Sequence, residues 1–217
     1  MNNDEKKKIK DRVGVYVSKA FLDSKPSYFV PDIENCEKDE VKYIFLCESP
    51  HNDEVNYKET HKNEQSIPLA GKSGIDVYSF LFDNDESKKP IGELVNNKDP
   101  NLPKIAIVNV CNIPLQVIDA NKNDIAERDL KYIRDNNIII DCLLEDLKKR
   151  LGNYSNADKI VVCGEFASAY FDKADLETLK GKALYVPHPS RNSWNFIYKH
   201  KGDIDELKEL FNRKTDS

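Results

Sequence analysis

The 217-residue chain has no long apolar run, no close-spaced cysteine pair and no excess of positive charge. Each shortage excludes something. The longest apolar stretches, around residues 43–47 and 105–108, fall far short of the ~20 residues a membrane-spanning helix requires, so no membrane partner is expected. Five cysteines occur without a C-x-x-C pair and without a secretory leader, which points to a reducing, cytoplasmic setting rather than a disulfide framework. A net charge of −5 gives no global basic field, so a nucleic acid would have to be held by a local site. A phosphate-binding P-loop is missing too. Ala70-Gly71-Lys72-Ser73 looks like its end, but Ser66 stands where the loop needs its first glycine, and no apolar strand leads directly into it.

What is present reads as alternating strands and helices in one domain spanning 1–217, frayed over residues 1–8. Ile9, Val13, Val15, Tyr16, Ala20 and Phe21 form a helical stripe, followed by a proline-containing connection over 24–39. Strands are predicted over 42–47, 105–111, 160–163 and 182–187. Helices are predicted near Val77, Phe80 and Leu81, over 126–151 in two segments broken near Asp135-Asn136-Asn137, after Gly164, and around Ile204, Leu207, Leu210 and Phe211. Short apolar strands alternating with helices imply an α/β fold, a three-layer α/β/α sandwich on a central, mostly parallel, four-stranded sheet.

Ligands of such sheets bind beyond the carboxyl ends of the strands. Glu48, Asn109, Gly164 and His188 each fall at or just past the end of one predicted strand. His188 lies between Pro187 and Pro189, whose fixed φ angles leave it little freedom, so it is presented as a stiff, near-neutral proton donor or acceptor. Cys47, Cys111 and Cys163 also fall at strand ends and with His188 raise the idea of a metal site; without close-spaced ligand pairs, small buried thiols are the simpler account and no metal is expected. His51 and His61 among the carboxylates of the long loop 48–67 read the same way, as solvated polar groups.

Taken together, the strand-end segments resemble the uracil-DNA glycosylase superfamily. Its iron–sulfur-containing branch opens with G-E-A-P-G-x-x-E, and here Cys47-Glu48-Ser49-Pro50-His51-Asn52-Asp53-Glu54 stands in that place. P-F-V-G-x-A-G is matched by Pro68-Leu69-Ala70-Gly71-Lys72-Ser73-Gly74, and the strand-end asparagine by Asn109. The small-residue turn is matched by Gly164-Glu165-Phe166-Ala167, and the His-Pro-Ser signature by His188-Pro189-Ser190. Order agrees over residues 42–194. Cys47 and His51 replace two glycines, Leu69 replaces the phenylalanine that stacks on the flipped base, and the cluster cysteines are missing, so no iron–sulfur cluster or other cofactor is expected.

The resemblance implies an enzyme that hydrolyses the N-glycosidic bond of a deaminated or modified base in single- or double-stranded DNA; a monomer is expected. The alternative it carries is a catalytically impaired module of the same fold that binds a nucleotide or flipped base. His188 is suited to stabilise the departing base anion, Glu48 or Glu54 to orient water and favour a cationic sugar, and Asn109 to read a base edge. Ser49, Pro50, Leu69, Gly71 and Ser190 would contact substrate as well, and Lys72, Ser73 and Arg191 would hold phosphate. Trp194 can stack on a base or pack in the core. Plainer roles stand beside these: Glu48 can cap a turn, Asn109 can tie the strand end to a loop, and Glu54 can be a solvated loop charge.

Overall fold

A computed structural model of the chain describes residues 29–51, 54, 66–82, 89–112, 137–190, 193–196 and 200–212. The expected N-terminal helix, most of the polar loop, the segment 126–136 and Arg191 lie outside these residues. Five strands form one sheet: β1 (Ile33–Glu34), β2 (Tyr43–Cys47), β3 (Ile105–Asn109), β4 (Lys159–Cys163) and β5 (Ala183–Val186), in the order β1-β3-β2-β4-β5. β2 to β5 are mutually parallel where they pair, and β1 runs antiparallel to β3 with Ile33 opposite Ile107.

The α/β class and the parallel ladder agree with the sequence, but the sheet has five strands, not four. β1 falls in the segment read as a connection. Two residues are too few to carry a period-2 pattern. The neighbouring Asn35 holds this edge instead: its Nδ2 donates to the Pro103 carbonyl at 2.9 Å and its Oδ1 accepts from the Ile105 amide at 2.8 Å.

Seven helices are described: α1 (Lys72–Phe82), α2 (Ile91–Asn96), α3 (Asn137–Leu151), α4 (Gly164–Ala174), α5 (Glu177–Lys180), α6 (Ser193–Phe196) and α7 (Lys201–Asn212). The short α2, α5 and α6 were not expected, because four to six residues hold too little of a 3.6-residue period. None of the described helices is long and apolar enough to cross a membrane.

Both faces of the sheet are covered. Ile44, Leu46, Ala106, Val108, Ile160 and Val162 pack against Leu143, Leu147 and Leu151 of α3 and Phe166 and Tyr170 of α4. On the other face Phe45, Ile105, Ile107, Val161 and Leu184 meet Val77 and Leu81 of α1, Ile91 and Val95 of α2, and Leu207 and Phe211 of α7. Phe211 anchors this layer, with ring centroids 5.0 Å from Tyr43 and 6.0 Å from Phe45. Alternation along each strand then decides what reaches the sheet's end. Cys47, Asn109 and Cys163 share the parity of Phe45, Ile107 and Val161, so all three end their strands on the face that carries α1.

Candidate functional site

A cleft of about 690 Å³ opens beyond the carboxyl ends of the parallel strands. That size suits a nucleotide-scale ligand. β2 and the chain after it contribute Cys47, Glu48, Ser49, His51 and Glu54; the turn into α1 contributes Leu69, Gly71, Lys72 and Ser73. β3 contributes Asn109, the start of α4 Glu165 and Phe166, and the segment after β5 His188, Pro189 and Ser190. Thus the cleft brings together all but two of the residues expected from sequence. Pro50 is buried and does not line the cleft, and Arg191 is outside the described residues.

Asn109 is the polar centre of the floor. It is 3% exposed, and its Nδ2 has no hydrogen-bond partner among the described residues. A buried amide donor left unsatisfied costs about 1–3 kcal/mol, so such groups mark places where a ligand or water completes the set. The backbone around it is fixed from two sides. Val110 N–H donates to the Cys47 carbonyl at 2.8 Å and Cys111 N–H to the Glu48 carbonyl at 3.1 Å, continuing the β2–β3 ladder past its last residue. From below, the guanidinium of Arg150 donates to the Asn109 and Val110 carbonyls at 2.8 and 3.0 Å.

The strand-end cysteines do not converge on His188. Cys47 and Cys163 sit together under the cleft, whereas Cys111 packs into the core on the opposite face. A hydrogen bond with Cys163, reinforced by burial, pushes the Cys47 thiol well above its ordinary range, so it stays protonated and is a poor nucleophile or metal ligand. Among the described residues no group of three or more His, Cys, Asp or Glu side chains is placed to hold a metal.

Glu54 is not a solvated loop charge. It is 7% exposed, and its two carboxylate oxygens accept backbone N–H bonds from His51 at 2.9 Å and Leu69 at 2.7 Å. It therefore latches the chain after β2 to the turn before α1. Glu54→Gln replaces one acceptor by an NH₂ that faces a backbone N–H. The expected cost is about 1.5–3 kcal/mol, the range for hydrogen bonds to charged groups, and it is read as a lowered denaturation midpoint at unchanged slope.

That latch holds a strained residue. Leu69 is buried in the cleft wall with φ of +50°, a left-handed conformation that a branched side chain seldom adopts. Its N–H is taken by Glu54 and its carbonyl accepts from Gly92 N–H at 3.1 Å. A Cβ on Gly74 would lie 1.8 Å from the Leu69 carbonyl oxygen, and one on Gly92 would lie 1.9 Å from that of Pro68. Two glycines therefore let α1 and α2 close on the Pro68–Leu69 turn from both sides.

His188 lines the same cleft from the segment after β5. Gly164, with φ of +88°, lies so close that a Cβ there would stand 3.1 Å from the His188 Cβ, so the turn into α4 backs the histidine. The His188 carbonyl accepts from Ser190 N–H at 2.8 Å and from the Ser193 hydroxyl. Trp194 completes the support. It is buried, donates Nε1–H to the Pro187 carbonyl at 2.7 Å and packs edge-on against Phe80 at 5.4 Å. The core role of this tryptophan, rather than the base-stacking one, is what the structure gives. Although His188 is open to the cleft, the surrounding wall desolvates it, and this with the nearby charge of His51 holds its pKa below the usual histidine value.

No protein-family model matches this sequence, and no curated protein matches it significantly. The function therefore has to be argued from the cleft. Sequence reasoning did not find Arg150, which reads as one of three basic residues closing α3, nor Glu165 as a wall residue.

Proposed function

We propose that the cleft is the active site of a uracil-DNA glycosylase-like enzyme that hydrolyses the N-glycosidic bond of a deaminated or modified base flipped out of DNA. The observation that carries this reading is Asn109: a buried amide donor, without a partner among the described residues, in a cleft lined by the strand-end segments that resemble the family's. Its Nδ2–H donates to a carbonyl on the base edge. His188, which lines the same cleft, donates to the base as the bonding electrons leave with it, which stabilises the anion as it forms. Glu48 directs water to the sugar carbon and favours its positive charge. Glu54 acts as a positioning residue, because both of its oxygens already hold backbone amides. Lys72 and Ser73, at the first turn of the 11-residue α1, suit a phosphate beside the flipped nucleotide.

A second reading has one observation in its favour. An aliphatic Leu69 stands where the family stacks an aromatic ring, which weakens base stacking and suits a reader that has lost turnover. Labelled oligonucleotides containing uracil, hypoxanthine, xanthine or a modified pyrimidine decide between them, with alkali revealing abasic sites. Product lost in Asn109→Ala supports the enzyme; a gel shift lost in Asn109→Ala without product supports the reader.

The pH dependence follows from His188. Its lowered pKa means that the neutral ring, which still has an N–H to donate, dominates at neutral pH. An imidazolium would repel both His51 and the cationic sugar. Base release is therefore expected to be flat near pH 7 and to fall on acidification with a midpoint below 6.5, and this limb should vanish from the residual rate of His188→Gln. Stability moves the same way: the unfolded chain protonates first, so the folded state loses stability as pH drops below 6.5.

A further inference from the structure

We infer that Arg150 is the positioning residue that sets where Asn109 meets its ligand. The inference rests on the reading of Asn109 as the residue that contacts the base.

In a regular strand successive carbonyls point to opposite sides, so one side chain cannot bond two in a row. Arg150 does so. Nη1 reaches the Asn109 carbonyl at 2.8 Å and Nη2 the Val110 carbonyl at 3.0 Å. Both are within reach because the chain leaves its extended path at residues 110–112, directly after β3. The guanidinium thus holds the bend that ends the strand, and with it the peptide planes beside the Asn109 side chain.

The guanidinium is itself rigidly mounted. Nε donates to Asp146 at 2.7 Å, and Nη1 lies 3.0 Å from both carboxylate oxygens of Asp32. Asp32 also accepts from Asn112 Nδ2 at 3.2 Å, so one carboxylate ties Arg150 to the far side of the same bend. The Arg150 side chain is only 16% exposed and that of Asp32 13%, which makes this a largely dry network. Although burial opposes its charge, Asp32 and Asp146 more than compensate and hold the Arg150 pKa above its ordinary value. Lysine can supply a charge here but not a fork that spans two carbonyls and a carboxylate.

Arg150→Lys tests the inference. Leu147→Ala, a core truncation on the same helix, serves as the purely structural control. The readout is the NMR signal pair of the Asn109 side-chain amide, identified by its loss in Asn109→Ala. In Arg150→Lys this pair is expected to shift and broaden, while in Leu147→Ala it stays put despite the lower stability. If Arg150→Lys does not fold, Asp32→Asn loosens the same guanidinium and is expected to move the same pair. With a uracil-containing single-stranded oligonucleotide as probe, Arg150→Lys is expected to weaken binding about tenfold in the wild-type background and not at all in Asn109→Ala.

Asn109 signals unmoved in a folded Arg150→Lys or Asp32→Asn protein would overturn the inference, as would equal loss of probe binding with and without Asn109. Signals that move, in a protein that binds none of the base-containing probes, would leave Arg150 as the support of Asn109 and remove the glycosylase reading instead.

Discussion

His188→Ala is expected to lower the rate of base release by about 10²–10³-fold, the loss seen when a donor aimed at developing negative charge is removed. The fold should tolerate the change. The side chain opens into the cleft, and the supporting bonds from Ser190, Ser193 and Trp194 go to backbone carbonyls of the segment rather than to the ring. Truncation therefore leaves the segment in place and deletes the donor alone. Single-turnover rates with unchanged melting temperature would establish that separation. A rate loss accompanied by unfolding would assign His188 to structure.

Gly74→Ala is the second large effect, and it falls on stability. The added methyl would lie 1.8 Å from the Leu69 carbonyl oxygen, a backbone atom that is itself hydrogen-bonded to Gly92. No rotamer change relieves such a contact. Either α1 withdraws or the Pro68–Leu69 turn gives way, and the cost is expected at or above the upper end of overpacking, about 3 kcal/mol. Within a total stability of roughly 5–15 kcal/mol that is a large fraction. Chemical denaturation reads it directly. Because the turn carries Leu69 and the N–H latched by Glu54, ligand binding by the residual folded protein should fall as well. A Gly74→Ala protein of wild-type stability would mean that the clamp on Leu69 does not exist.

How much of this was legible in the sequence depends on how far apart the cooperating residues lie. Glu48, Asn109 and His188 announce themselves because each follows a short apolar run, and in a parallel sheet such runs end on one side. The helix that carries the buried Val77, Phe80 and Leu81 follows from local period. The latch was not legible. Glu54 and Leu69 are 15 residues apart, and no local pattern says that a carboxylate in a polar loop will be buried by a distant turn. Arg150 was hidden for a related reason. Lys148-Lys149-Arg150 at a helix end reads as a solvated, dipole-favoured cluster, and only the packing of α3 brings the third residue to the end of β3, 41 positions earlier. β1 escaped because a two-residue strand is defined by its partner. Cys111 belonged with Cys47 and Cys163 because all three fall at the ends of predicted strands, but β3 ends at Asn109, and the bend beyond it turns Cys111 to the other face.

These residues describe a cleft that offers a buried amide donor with no partner among the described residues, beside a latched turn and a backed histidine segment. Whether that arrangement performs glycosidic hydrolysis is tested most directly by quantifying free base and abasic sites together. Excess protein would be incubated with oligonucleotides carrying each deaminated or modified base, for wild type, Asn109→Ala and His188→Ala. The account predicts that at least one substrate yields free base and alkali-labile sites in equal amounts, and that both substitutions suppress the two products in parallel. Folded wild-type protein that releases no base from any of them, or release undiminished by either substitution, would contradict it.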